Sequence, residues 1–252
     1  MNLHQLNPQV SVVLSEKIEH FVQRIVMFSR EKLQAVYLYG DVTRADFNLE
    51  HSPVQAMLVF QEVSTDLLEI IAPAARQAQQ DFKLTLKILS REDLRSSADV
   101  FPMEFFEAKE KRFLLYGTHL FQNMSISLED LRRSCELELK RELFQLRSYF
   151  ALHLNKPQAL LEKALGSLPV FLGHLDRALF LKSGLFCGSN AEIIEKSNEA
   201  FRIDRKLLLR LQQLKDVTDL PKDPIEILHL YNKYLYALQK MARLIDKYEV
   251  YR

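Results

Sequence analysis

The chain has 252 residues, of which 48% are apolar and 27% charged, a composition typical of a soluble folded protein. Lys and Arg number 34 against 33 Asp and Glu, and this net charge of +1 excludes a strongly basic nucleic-acid binder and an acidic tail, although not a local charged patch. The 6 glycines argue against Gly-rich phosphate loops, collagen and turn-dense β proteins. A chain of this length forms one large domain or two small ones.

Cysteine content and the absence of targeting signals predict a cytoplasmic protein. Cys135 and Cys187 are too few for a disulfide scaffold, and two thiols fit a reducing compartment. Residues 1–9 lack the basic and apolar segments of a signal peptide. Charged residues interrupt the longest apolar stretches, such as 175–186, so we expect no membrane association. No zinc-type spacing of Cys and His occurs, and no metal is expected.

The first half of the chain alternates helical and strand-like segments. Apolar residues that recur every three or four positions predict its helices. Short runs of apolar residues, or of alternating apolar and polar residues, predict its strands. In chain order, the predicted elements are a helix over 10–30, strands over 35–39 and 54–60, a helix over 65–80, a strand over 82–89, a helix over 101–111 and a strand over 112–116.

From Ser127 onward, the apolar residues follow a helical period throughout. The predicted helices cover 128–154, 161–179, one or two segments within 191–214, and 228–245. Long amphipathic helices with short connections predict an antiparallel bundle. The expected domains are therefore an α+β domain over 1–124, with a mixed sheet flanked by helices, and an all-α helical bundle over 125–252.

One turn and the two strands around it form the most informative motif. The strand over 36–39 ends at Gly40-Asp41, and the next strand starts after eleven further residues, at Pro53. This arrangement resembles the nucleotidyltransferase superfamily, which includes kanamycin nucleotidyltransferase and DNA polymerase β. The resemblance covers most of residues 10–125, and a downstream helical domain is also typical of the family. It implies a nucleotidyltransferase-like fold.

The sequence departs from the family pattern at the metal-binding positions. The resemblance implies an Asp-x-Asp pair opening the second strand, and the matching residues are Pro53 and Gln55. Proline offers no ligand and glutamine only one neutral oxygen, whereas hard divalent cations prefer charged oxygens. The family's third carboxylate lies on a following strand, whose polar positions here are Lys83, Thr85 and Lys87.

The turn after the first strand also departs from the pattern. The family has Gly-Ser there, and this turn helps to hold the terminal phosphates of the nucleotide, whereas this chain has Gly40-Asp41. A carboxylate beside a triphosphate is repulsive. We therefore expect no catalytic residue at the motif positions and no cofactor, with at most a remnant of the nucleotide cleft around the turn. These positions are Gly40, Asp41, Pro53 and Gln55. The protein is then a catalytically inactive binding, scaffold or regulatory module.

Two other functions remain open. The first is an active nucleotidyltransferase that transfers a nucleoside monophosphate, binding Mg²⁺ through displaced acids such as Asp46 and Glu50, which are spaced to share a helical face. The second is a toxin–antitoxin nuclease or its partner, because Arg147 and His153 fit the weak Arg-x(4–6)-His pattern of HEPN ribonucleases. A protein partner is expected, and a nucleotide or a second copy of the chain is compatible with the sequence. Nucleic acid is not expected.

Three smaller groups are assigned structural roles. Glu104 and Glu107 lie three apart on a predicted helix, where a solvated face is favoured over a place near the cleft. His174 lies within a helical pattern with no nucleophile placed beside it. A basic cluster over 202–210 is spaced to share a helical face, and a solvated surface is favoured there over contact with phosphate.

Overall fold

The structure is a computed structural model that describes residues 3–50, 52–122, 124–215, 217 and 219–249. It divides into two compact units, Met1–Ser127 and Leu128–Arg252. The first unit contains a mixed four-stranded sheet flanked by helices, and the second is helical, so the predicted fold class is confirmed. The domain limits of 1–124 and 125–252 remain a prediction.

The elements of the first unit follow the sequence pattern closely. In chain order they are α1 (Leu3–Leu6), α2 (Val12–Ser29), β1 (Leu33–Tyr39), β2 (Val54–Phe60), α3 (Thr65–Phe82), β3 (Leu84–Ser90), α4 (Arg91–Ser96), α5 (Pro102–Glu110) and β4 (Arg112–Gly117). The predicted helices and strands are all present, with small shifts at their ends. The sequence reading missed α1 and α4, because helices this short show no periodicity. The available signal for α4 was its capping box, formed by Ser90 and Asp93.

The strand order is β3-β2-β1-β4. β1 runs antiparallel to β2 and β4, whereas β2 and β3 are parallel. The carboxyl end of β1 therefore lies at the same edge of the sheet as the amino ends of the other three strands. This edge holds Gly40 and the first residues of β2, so the sheet topology brings the two halves of the motif together.

Helices and loops cover both faces of the sheet. One face carries Val36, Leu38 and Leu58, which share a core with the apolar sides of α2 and α3. The opposite face carries Tyr37 and Met57, which pack with residues of α4, α5 and the segment after β4. Because both faces are buried, β1 and β2 have nearly continuous apolar sequences rather than an alternating pattern.

The second unit is a bundle of helices. Its elements are α6 (Leu128–His153), α7 (Pro157–Ser183), α8 (Asn190–Phe201), α9 (Arg205–Lys215) and α10 (Pro224–Asp246). α6, α7 and α10 pack against one another, and α8 and α9 pack on α7. Two buried tyrosines of α10 hydrogen-bond within this core: Tyr234 Oη lies 2.8 Å from Ser167 Oγ, and Tyr231 donates to the carbonyl of Leu146 at 2.8 Å.

The α7 helix is the most apolar element of the second unit. Among the described residues it is the one helix long and apolar enough to cross a membrane, as judged by length and composition. In this structure 61% of its most apolar segment is buried. A buried core helix meets the same criteria, so this finding is weak evidence for a membrane span.

The basic cluster over 202–210 does not lie on one helical face, so that part of the sequence interpretation is wrong. α8 ends at Phe201, and Arg202 has a left-handed backbone, with φ at 55°. Lys206 and Arg210 lie on the next helix, α9. The three-residue break between the helices interrupts the regular rotation that the spacing argument assumed.

Candidate functional site

The two halves of the motif are in contact at the edge of the sheet. Gly40 has φ at +74°, and a Cβ placed on it would lie 2.0 Å from Oε1 of Gln55. The Gln55 side chain therefore lies directly against Gly40, although fifteen positions separate the two residues in the sequence. A glycine suits this position both because its backbone is left-handed and because the glutamine occupies the space of a side chain.

The turn after β1 is a short 3-10 helix over Gly40–Thr43 that closes on the start of β2. Ser52 Oγ donates to the Asp41 carboxylate at 2.6 Å, and the amide of Arg44 donates to the Asp41 carbonyl at 2.9 Å. The Thr43 hydroxyl donates to the carbonyl of Gly40 at 2.8 Å. Asp41 thus ties the turn to Ser52, two residues before β2, and it places a carboxylate where the pattern that the chain resembles has serine.

A residue from the N-terminal segment also supports this turn. Asn7 is 4% exposed, and its side-chain amide donates to the carbonyls of Val42 and Arg44, both at 2.8 Å. Sequence reasoning missed this residue, because a lone asparagine in a polar segment gives no local signal of such a distant contact. The loop after β1 is therefore held from two sides, by Asn7 and by Ser52.

The donor set at the motif positions does not fit the divalent metals that the family uses. Pro53 has no donor atom, and the amide oxygen of Gln55 faces Gly40. In the register of β3 on β2, Thr85 lies beside Gln55, and Lys87 lies two residues further along. Over the described ranges, no group of three or more His, Cys, Asp or Glu side chains is arranged to hold a metal ion.

Lys83 does not belong to the strand in which the sequence placed it. It ends α3 with a left-handed backbone, and its Nζ donates to the carbonyls of Leu49 and Glu50 at 3.2 and 3.1 Å. The alternating pattern over 82–89 misled the sequence reading, because it continues from the last residues of α3 into β3. Of the three polar residues assigned to that strand, Thr85 and Lys87 belong to it.

Glu104 and Glu107 of α5 are both partly exposed, as the sequence favoured, and both also interact with residues of the sheet. Glu104 forms an ion pair with Lys87, and burial lowers the pKa of the Lys87 ammonium. Burial, together with the charge of Glu107, raises the pKa of Tyr39 to about 12. Tyr39 pairs with Gln55 across β1 and β2, so these polar groups share one face of the sheet.

Asp46 and Glu50 do not form a carboxylate pair on a helix, so this expectation is wrong. The chain around them is a loop, in which the side chain of Asn48 accepts from the amide of Glu50 at 2.8 Å. Such local side-chain bonds favour turns over helix. The Asp46 carboxylate instead pairs with the Arg44 guanidinium at 3.1 Å, and Glu50 is exposed.

Arg147 and His153, both on α6, each contact a different residue. Arg147 donates to the side chain of Gln239 at 3.0 Å. His153 Nδ1 lies 3.0 Å from the carbonyl of Tyr149, and the two rings stack with centroids 4.0 Å apart. Six residues along a helix turn the two side chains about 120° apart around its axis. The α6 helix by itself therefore does not bring Arg147 and His153 together, and the nuclease pair remains a prediction.

The sheet topology and the glycine-ended first strand define a nucleotidyltransferase-like fold, followed by a helical unit. The chain is similar to a solved structure of spectinomycin adenyltransferase AAD(9) from Enterococcus faecialis with ATP and spectinomycin. The TM-score is 0.57 at 13% identity, over 89% of this chain and 98% of that chain. At this identity the likeness shows the fold alone. No family model and no curated protein sequence matches the chain.

Proposed function

We propose that this chain keeps the nucleotidyltransferase fold without the transfer reaction and acts as a binding, scaffold or regulatory module. The observation that carries the proposal is the donor set at the edge of the sheet. Pro53 offers no ligand, Gln55 offers a neutral oxygen that faces Gly40, and Thr85 lies beside it on β3. Two-metal transfer depends on carboxylates that hold the metal ions, and the bound ions neutralise the negative charge that develops on the phosphate.

The turn after β1 supports the same proposal independently. The Asp41 carboxylate accepts a hydrogen bond from Ser52 and carries a negative charge where a phosphate would approach. Two unit charges 4 Å apart repel by about 1 kcal/mol in water, and by more where water is excluded. A nucleoside triphosphate would thus meet repulsion in the turn without the compensating metal ions.

Titration calorimetry with ATP, GTP, CTP and UTP, each with and without Mg²⁺ or Mn²⁺, tests the proposal directly. We expect no metal-dependent heat with any nucleotide, because the metal-binding positions lack carboxylates. Metal-dependent binding followed by release of pyrophosphate would overturn the proposal. Binding that is independent of metal would instead identify the module as a nucleotide sensor.

Carboxylates placed at positions 53, 55 and 85 are expected to create a metal-binding site. We expect the triple variant Pro53→Asp, Gln55→Asp, Thr85→Asp to gain Mn²⁺ binding at least about tenfold tighter than that of the parent chain, because three carboxylates would then line one edge of the sheet. Isothermal titration with Mn²⁺ measures the change. Circular dichroism checks that the variant keeps its helical content.

A charge-matched variant controls for non-specific attraction of the cation. Gln61→Asp, Gln79→Asp and Gln122→Asp add the same three charges at exposed positions on different segments of the first unit. This control is expected to bind Mn²⁺ about as weakly as the parent. Equal gains in both variants would mean that positions 53, 55 and 85 do not form the metal-binding edge that the fold implies.

The proposed partner of the module is another protein. Leu137 and Phe144 are 56% and 57% exposed on α6, and a spacing of seven residues places them on the same face of the helix. Paired exposed apolar side chains of this size are common at interaction surfaces. Within the described residues, neither displaced metal ligands at Asp46 and Glu50 nor a nuclease centre gains comparable support.

A further inference from the structure

A cavity of about 530 Å³ lies within the second unit, beside the junction of α8 and α9. One wall is formed by the residues that connect these helices and by the first turn of α9. The other wall is a single face of α10, from His229 to Lys240. Its volume lies in the range of small-molecule sites in proteins.

The floor of the cavity is apolar. Ile203, Leu207 and Ala237 line it and are buried, being 1%, 4% and 4% exposed. Tyr236 also lines the cavity, and 68% of its surface is exposed, so its side chain is accessible to a ligand. An aromatic or aliphatic body placed here would bury apolar surface against the floor and stack on the tyrosine.

The walls carry cations whose charges have no acidic partner. Arg202, Lys233 and Lys240 line the cavity, and none of them forms an ion pair with a carboxylate in the part of the chain that the structure describes. The nearby Arg205 and Arg210 of α9, in contrast, pair with Glu195 and Glu226. The cations that line the cavity therefore leave a local excess of positive charge there.

Two hydrogen bonds organise these walls. Lys240 Nζ donates to the backbone carbonyl of Arg202 at 2.8 Å, which holds α10 against the junction and leaves two ammonium donors. Asp204, the acid on the wall, accepts from the amide of Leu207 at 3.2 Å and thereby caps α9. One carboxylate with a structural partner does not balance three cations.

We propose that this cavity binds a small compound with an aromatic or apolar body and one anionic group. The body lies on the apolar floor beside Tyr236, and the anion lies among Arg202, Lys233 and Lys240. Neither the apolar floor nor the cations alone account for the site. A simple anion would leave the apolar floor in contact with water, and a neutral apolar compound would leave the three cations without a partner. This proposal is independent of the proposed function, since it concerns residues of the helical unit only.

The test uses two dyes that differ only in the charged group. 1-Anilinonaphthalene-8-sulfonate has the proposed body and an anion, and N-phenyl-1-naphthylamine is the same compound without the sulfonate. Fluorescence titration of the full chain is expected to show binding of the sulfonate at least about tenfold tighter than binding of the neutral dye, with an affinity that falls as salt rises. Equal affinity for the two dyes would overturn the proposal.

Exposed side chains of the cavity allow variants that leave the fold intact. Lys233→Gln and Tyr236→Ala are each expected to weaken sulfonate binding about five- to tenfold, and Lys233→Gln to leave binding of the neutral dye unchanged. Lys206→Gln is the matched control, because Lys206 is an exposed lysine of α9 outside the cavity lining. Sulfonate binding that survives both cavity variants, or that falls equally in the control, would place the dye elsewhere and refute the site.

Competition identifies the anion that the cavity prefers. 1-Naphthyl phosphate and 1-naphthoate present a phosphate and a carboxylate on a similar body, and inorganic phosphate presents the charge alone. Displacement of the dye by either naphthyl compound, at concentrations where inorganic phosphate is ineffective, supports the proposal. Displacement by inorganic phosphate alone, or by none of the three, contradicts it.

Discussion

Replacement of His174 by leucine is expected to stabilise the protein and to remove most of the loss of stability between about pH 7.5 and pH 5. His174 is 3% exposed in the middle of α7, and neither of its ring nitrogens has a hydrogen-bond partner within the described part of the chain. Burial, with a smaller contribution from the charge of Arg177, lowers the pKa of His174 to about 3. The folded protein therefore holds this imidazole in its neutral form.

The sign of the pH effect follows from the two pKa values. In the unfolded chain, His174 binds a proton below about pH 6.5, whereas in the folded chain it does so only near pH 3. The unfolded state thus binds one more proton over this window, and the free energy of unfolding falls as the pH decreases. The expected loss from pH 7.5 to pH 5 is about 2 kcal/mol, at up to 1.4 kcal/mol per pH unit.

Leucine has a similar volume and no titratable or polar atom. Leucine at this position removes the coupling between protonation and unfolding. It also removes the cost of burying two unpaired nitrogens, which is about 1–3 kcal/mol per group. Urea unfolding followed by the helix signal at several pH values measures both effects. His229→Gln is the control, because His229 is exposed on α10 and the steep acid dependence should persist in that variant. Parallel pH profiles for His174→Leu and the parent chain would contradict the prediction.

Below about pH 5, the titration of carboxyl groups also changes the stability of the protein. Hydrogen bonds from Arg132 and Lys140 hold the pKa values of Glu129 and Glu136 below their usual range. Groups of this kind contribute stability that is present above their unfolded pKa, near 4.5, and is lost as the pH falls further. Measurements from pH 5 upward therefore report mainly on histidine.

Gly117→Ala is expected to destabilise the first unit by about 3–4 kcal/mol. Gly117 ends β4 with φ at +84°, and a Cβ there would lie 1.9 Å from the backbone carbonyl oxygen of Gln34 on β1. An alanine would carry the cost of the left-handed backbone and would also push β4 away from β1. Because a backbone oxygen cannot rotate aside as a side chain can, little of this clash can be relieved.

The variant Gly184→Ala separates the cost of the left-handed backbone from the cost of the clash with β1. Gly184 ends α7 with φ at +73°, and a Cβ there would meet nothing within 4 Å. This control should lose only the cost of the left-handed backbone, about 1–2 kcal/mol. Urea unfolding of both variants measures the difference. Equal losses would mean that β4 adjusts at no cost and that its packing on β1 is looser than the structure indicates.

The candidate site was predictable from sequence only in part. The spacing from Gly40 to Gln55 is local enough to be recognised as a motif, and the structure brings these two residues into contact. The roles of Asn7 and Glu104 were not predictable, because each depends on a partner far away in the sequence. The alternative of a helical carboxylate pair at Asp46 and Glu50 fails for a local reason, since the turn at Asn48 competes with the helix that their spacing would allow.

The sequence by itself determined the order and type of the main elements, the change from a mixed to a helical half, and the identity of the residues at the motif positions. These properties follow from apolar periodicity and residue identity, which are local. The tertiary structure decided which groups meet: Lys87 with Glu104 on the sheet, the unpartnered His174 inside α7, and the unpaired cations beside α10. Strand register and helix packing set these distances, because they depend on contacts between residues that are remote in the chain.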